Sequence, residues 1–173
     1  MINNNTFSPI ILFAIFDQIN MMRTRFPNYK SYADATIDKV FTPEETEGAK
    51  QLKANYLSTA CFISNAQGKL HSVSLPIQAQ YSPVYTITPL DYDHDGNEDL
   101  LLCGNINHGR LRFGKYDANY GILLKGDGKG NYQYVNQPQS GFNLWGDVRS
   151  VLSINHTLLF GMDEGRLKAY KQQ

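Results

Sequence analysis

The chain has 173 residues, 42% of them hydrophobic and 18% charged, a length that suits one domain with a real apolar core. Its 16 Lys and Arg balance 16 Asp and Glu, so the formal net charge is zero, and nothing in that balance argues for nucleic acid or an anionic membrane face as a partner. Eleven Tyr, nine Phe and fourteen Gly suit a β protein with many tight turns.

Residues 9–16 are an apolar run with no Lys or Arg before it. The run is too short to span a bilayer and is not a convincing signal peptide. It reads instead as a helix: Leu12, Ile15, Phe16, Ile19 and Met22 fall on one face, and Asp17 interrupts any membrane run. Asn28 or Ser31 can open a further helix through Phe41, with Tyr32, Ala35, Ile37 and Val40 as an imperfect apolar stripe. Another opens at Thr42, with Pro43 first and Glu45 closing a capping box. Residues 1–53 are therefore expected to be a helical segment inserted between strands.

From residue 54 the pattern changes to hairpins. Residues 56–64 and 70–75 read as strands around a turn at residues 65–68. The pattern returns at residues 120–124 and 132–135, around the glycine-rich turn at residues 126–130. That turn lacks the spacing and the Ser or Thr of a phosphate-binding loop. A last copy runs through residues 148–154, 157–160 and 167–170, with turns at Asn155-His156 and at residues 163–165. Repeated hairpins with periodic Gly and Asp turns are the sign of stacked blades.

The most informative stretch begins at Asp91. Aspartates stand at positions one, three, five and nine of a loop, Asp91, Asp93, Asp95 and Asp99, with Gly96 at position six. A hard cation such as Ca²⁺ takes six to eight oxygen ligands, and alternate residues of a tight loop can aim carboxylates at one point. Asp91, Asp93, Asp95 and Asp99 would supply side chains and Asn97 its backbone carbonyl. An EF-hand needs a bidentate Glu at position twelve and a helix on each side. Position twelve is Leu102, and both flanks, residues 84–90 and 100–103, read as strands.

The long connection from Asn105 to Tyr120 carries Arg110, Arg112, Tyr116, Asp117, Asn119 and Tyr120. This mixture of stacking faces, donors and acceptors can hold a sugar or a protein partner, or can simply shape the connection. His71, His94, His108 and His156 have no metal-ligand spacing and no nucleophile beside them. Cys61 and Cys103 lie in apolar runs and read as buried free thiols.

The order apolar strand, D-x-D-x-D-G-x-x-D, apolar strand, Gly104-Asn105 resembles the FG-GAP or VCBS repeat, a blade unit of calcium-binding β-propellers of the integrin α-chain type. Lys30-Ser31-Tyr32-Ala33-Asp34-Ala35-Thr36-Ile37, Gln80-Tyr81-Ser82-Pro83-Val84-Tyr85, residues 112–121 and Gly146-Asp147-Val148-Arg149 are similar to the C-terminal part of secreted bacterial VCBS proteins. The resemblance covers roughly residues 18–171. It implies a mainly β chain with N-terminal helices, forming a partial propeller of about two blades. Residues 54–76 would be an outer hairpin, 83–136 a complete calcium-binding blade, and 147–171 a degenerate blade without metal. It also implies that the chain is the C-terminal portion of a longer extracytoplasmic protein.

The function expected is non-catalytic: a segment stabilised by Ca²⁺ that recognises a protein or glycan, or acts as scaffold. The alternative is an accessory module of a larger extracellular polysaccharide-active enzyme. A metal-dependent hydrolase is disfavoured, because a cation saturated by loop oxygens has no open position and no general base lies nearby. Two blades cannot close a ring, so their open edges invite self-association.

Overall fold

A computed structural model describes residues 15–33, 35–50, 52, 54–109 and 114–171. The chain is mainly β, with three antiparallel sheets and a few short helices. It divides into two compact units, Met1–Asn55 and Tyr56–Gln173. No helix among the described residues is long and apolar enough to cross a membrane.

In the first unit residues 15–18 are helical, followed by α1 (Met22–Arg25), α2 (Tyr29–Ala33), α3 (Ile37–Val40) and a 3₁₀ turn at Glu44–Thr46. Met22, Phe26, Tyr32, Ala35 and Val40 form its buried cluster, with Ile15, Phe16 and Ile19 packed on it. Phe26 and Tyr32 meet edge to face at 5.3 Å, the arrangement the ring quadrupole favours. Leu12 of the expected apolar face lies outside the described residues. The single helix expected through Phe41 is instead split. Asn28 does open it, accepting the Ser31 amide at 2.9 Å, but the Ala35 amide closes back on Tyr32 O at 2.9 Å and buries Ala35. That three-residue bond tightens the last turn, and the chain restarts as α3.

The capping box forms as its residues indicate. The Thr42 amide donates to Glu45 Oε2 at 2.8 Å and the Glu45 amide to Thr42 Oγ1 at 3.4 Å, although only a 3₁₀ turn follows. Arg25 closes the unit, donating to Val40 O at 2.5 Å and to both Glu45 oxygens at 2.9 and 2.7 Å. The Arg25 fork, with the Thr42 amide, holds the Glu45 carboxyl down at about 2.

The second unit holds the sheets. Strands β1 (Cys61–Ser64) and β2 (Leu70–Val73) make a two-stranded hairpin that meets the turn where the sequence suggests and is shorter only at the ends away from it. Strands β3 (Thr86–Leu90), β4 (Asp99–Cys103), β5 (Ile122–Gly126) and β6 (Tyr132–Val135) form a four-stranded antiparallel meander in sequence order. A short helix, α4 (Gln137–Ser140), leads into the three-stranded sheet of β7 (Asp147–Ile154), β8 (Thr157–Asp163) and β9 (Lys168–Lys171).

The two central strands of the meander are apolar on both faces, as expected of strands buried on each side. Leu101 pairs with Leu123, and Leu102 with Ile122. Leu101, Cys103 and Leu123 face a core shared with Phe142, Leu144, Val148, Leu158 and Phe160. Leu102, Ile122 and Leu124 face Ala79 on the other side. Cys61 and Cys103 are both free, but only Cys103 is buried, and burial pushes its thiol up to about 12. Cys61 is half-buried, because the β1–β2 hairpin has only part of one face covered.

The Arg25 contact gives a pH prediction. Because the folded Glu45 carboxyl titrates below its ordinary value near 4.5, the pair contributes stability above that value and loses it as pH falls toward about 2. Carbon NMR should find Glu45 titrating near 2, returning toward the ordinary range in Arg25→Gln; an ordinary value in the unmodified chain contradicts the contact.

Candidate metal centre

The hairpin between β3 and β4 is the acidic loop. His94 at φ 60° and Gly96 at φ 80° put two left-handed turns into it; only the glycine accepts that conformation without side-chain cost. The loop therefore folds back on its first residue. Asp91 Oδ1 accepts the Asp95 amide and Oδ2 the Gly96 amide, each at 3.1 Å. Asp95 Oδ1 accepts the Asn97 amide at 2.8 Å. With their donors pointed inward in this way, the loop's amides brace the carboxylates.

Asp99 begins β4 and is fully buried. Its two oxygens accept the Tyr92 and Gly126 amides, each at 2.8 Å. One carboxylate thus joins the start of the loop, the strand after it and the end of β5. Gly126 makes this approach possible: a Cβ there would lie 2.2 Å from Glu98 O, far inside contact distance. A side chain at Gly126 would push β5 off the loop.

Asp91, Asp93 and Asp99 each offer an oxygen, all within 4.8 Å of one another. Ca²⁺ bonds oxygen at about 2.3–2.6 Å, which sets oxygens on opposite sides of the ion roughly 5 Å apart. The spacing and the all-carboxylate donor set therefore fit a hard cation. Asp95 is not in this group. Its Oδ2 lies 3.0 Å from Lys125 Nζ, which also bonds Asp93 Oδ2. The two carboxylates hold the Lys125 ammonium well above its ordinary value, Asp93 most strongly. Asp95 is held below the carboxylate range, first by the Asn97 amide and then by Lys125. The side chain of Asn97 packs against Gly128 in the next turn.

Of the six residues of the other expected site, the structure describes four, Tyr116, Asp117, Asn119 and Tyr120. Arg110 and Arg112 lie outside the described residues. Tyr116 and Asp117 are exposed, and Tyr116 pairs with Ile106 through both backbone bonds at 2.9 Å, pinching the loop. Asn119 is buried and serves the backbone: its amide donates to Asn105 Oδ1 at 3.1 Å and its Oδ1 accepts Gly121 N at 2.8 Å. Asn105 Nδ2 in turn donates to Asn119 O and Gly146 O at 2.8 and 2.9 Å. Tyr120 meets Trp145, with ring centroids 4.8 Å apart.

The sequence reading missed Lys125 and Trp145. Lys125 is separated from the acidic loop by a strand and a long connection, and only its place on β5 reveals it. Trp145, the chain's only tryptophan, stands beside Gly146-Asp147 and carries no spacing signal. Arg149 sits at a bulge between Val148 and Ser150, which aims its guanidinium over the Tyr85 ring at 3.9 Å and onto Asn105 O at 3.1 Å.

Comparison with protein families, curated proteins and solved structures finds no match.

Removing Asp99 strands two amides, so Asp99→Ala measured in EDTA should lose about 2–4 kcal/mol in urea unfolding. Asp93→Ala under the same conditions should stay near the unmodified chain, since its contact to Lys125 is solvent-exposed. Equal losses would refute the division of labour between latch and metal ligand.

Proposed function

We propose that the chain is a non-catalytic, calcium-binding segment of a β-propeller of the FG-GAP or VCBS kind, acting outside the cytoplasm in recognition of a protein or glycan. One observation carries this reading. Three carboxylates converge in the hairpin joining the first two strands of a four-stranded meander, and such a meander is the unit of which a propeller blade is made. The three-stranded sheet that follows has a tight turn at Asn155-His156 in place of an acidic loop, in keeping with a blade that has no metal.

Calcium works here as a structural clamp. The loop oxygens are dispersed in the unfolded chain, so binding free energy becomes folding free energy. Asp91, Asp93 and Asp99 would hold the ion, with Asp95 and the Asn97 carbonyl completing the set if Asp93 and Asp95 give up their contacts to Lys125. The Lys125 ammonium would compete with the ion for these carboxylates. Strands β3 and β6 end the meander, and their open edges suit pairing with further chain or a second copy.

The test is thermal. Millimolar Ca²⁺ should raise the unfolding midpoint over EDTA by about 5 °C or more. Asp93→Ala should abolish that rise, whereas Asp127→Ala, which alters a carboxylate held by Asn131 in the neighbouring turn, should keep it. A midpoint indifferent to calcium in the unmodified chain overturns the proposal.

A further inference from the structure

A cleft lies at the turn between β8 and β9. It encloses about 490 Å³ between Trp145, Lys115, Arg166 and the acidic pair Asp163-Glu164, a volume typical of small-ligand sites. Trp145 is 64% exposed, an unusual position for the largest apolar side chain in a folded unit. Tyr120 packs on it with ring centroids 4.8 Å apart and planes at 65°, and Lys168 Nζ donates to its carbonyl at 3.0 Å. An exposed indole already braced by a neighbouring ring costs less to order when a ligand stacks on it than a free one would.

The charges around the ring are unevenly committed. Glu164 meets His108 at 2.9 Å, and Asp163 lies 3.4 Å from Arg149. Lys115 and Arg166 enter no ion pair among the described residues. One cleft therefore combines an aromatic platform, two uncommitted cations and two carboxylates with lone pairs to spare.

We propose that this cleft binds an acidic saccharide, a uronate-containing oligosaccharide, with a sugar ring stacked on Trp145. The proposal rests on the recognition role above and narrows its ligand. The C–H face of a pyranose is apolar and weakly positive, matching the negative face of the indole. Its carboxylate meets the planar fork of Arg166, which suits a carboxylate geometrically, and the Lys115 ammonium. Its hydroxyls donate to Asp163 and Glu164, which a ligand without donors would leave facing its own charge. Those two carboxylates also set the cleft against single-stranded nucleic acid, which carries a phosphate on every unit and few hydroxyl donors on its backbone.

Calorimetric titration in calcium buffer with trigalacturonate, cellotriose and oligothymidylate tests this, with Trp145 fluorescence as a second readout. Trigalacturonate should bind saturably and perturb the emission, cellotriose should bind about tenfold or more weakly, and oligothymidylate not at all. Arg166→Gln and Lys115→Gln should each weaken trigalacturonate about tenfold, the loss of one charge-assisted contact. Trp145→Ala should abolish binding and Trp145→Phe retain part of it, both with unchanged far-UV dichroism; Lys69→Gln, on the β1–β2 turn, should bind as before. No saturable binding, equal binding of cellotriose, preferred binding of oligothymidylate, or full binding by Trp145→Ala would each overturn the proposal. Calcium stabilisation is read separately: a chain that binds trigalacturonate without a calcium response refutes the clamp alone, and the converse refutes this cleft alone.

Discussion

The Asp99 carboxylate is the point on which the β unit depends. It is buried, yet both oxygens are met by backbone amides, from Tyr92 on one side and Gly126 on the other. A buried charge is tolerable only when its lone pairs are satisfied in this way. In return it fixes three separate segments: the acidic loop, the start of β4 and the end of β5. The apolar pairs Leu101 with Leu123 and Leu102 with Ile122 then lie between two layers of core. A calcium ion at the same carboxylate would add its binding energy to a joint already made by hydrogen bonds, which places metal affinity and fold stability on one side chain.

The rest of the loop is organised around that joint with less commitment. Asp91 and Asp95 are braced by loop amides, whereas Asp93 is held by the Lys125 ammonium. On the proposed reading, this arrangement would let the loop keep its shape with a protein cation and exchange it for a hard divalent one. The Trp145 cleft is built from the other sheet and from the long connection after Asn105, so it draws on none of the loop carboxylates. A metal clamp and a ligand cleft on different sheets, as proposed, would let one stabilise the unit while the other recognises.

Much of this was legible in the residues because turns in β structure are written locally. Asp91 to Asp99, Asn155-His156 and the glycine-rich run at residues 126–130 each needed special backbone angles that few residues provide, and hairpins form at all three. Leu102 at loop position twelve and the strand-like flanks, residues 84–90 and 100–103, together separated a strand hairpin from an EF-hand. Helices were less legible. Nothing in the apolar stripe of Tyr32, Ala35 and Val40 distinguishes one long helix from two short ones, since the same three side chains are buried by either path. In the connection after Asn105, Asn119 has the same chemistry whether it meets a ligand or satisfies buried backbone, and only its burial shows that it does the latter. Lys125 and Trp145 act through neighbours distant in sequence, so no local pattern could announce them.

The central claim is that the loop carboxylates assemble one calcium site, and titration calorimetry of Ca²⁺ into EDTA-stripped protein tests it most directly. The account predicts a single saturable site per chain that disappears in Asp91→Ala and tightens in Lys125→Met, where the competing ammonium is gone. Absence of saturable heat in the unmodified chain, or a site that survives Asp91→Ala unchanged, would contradict it.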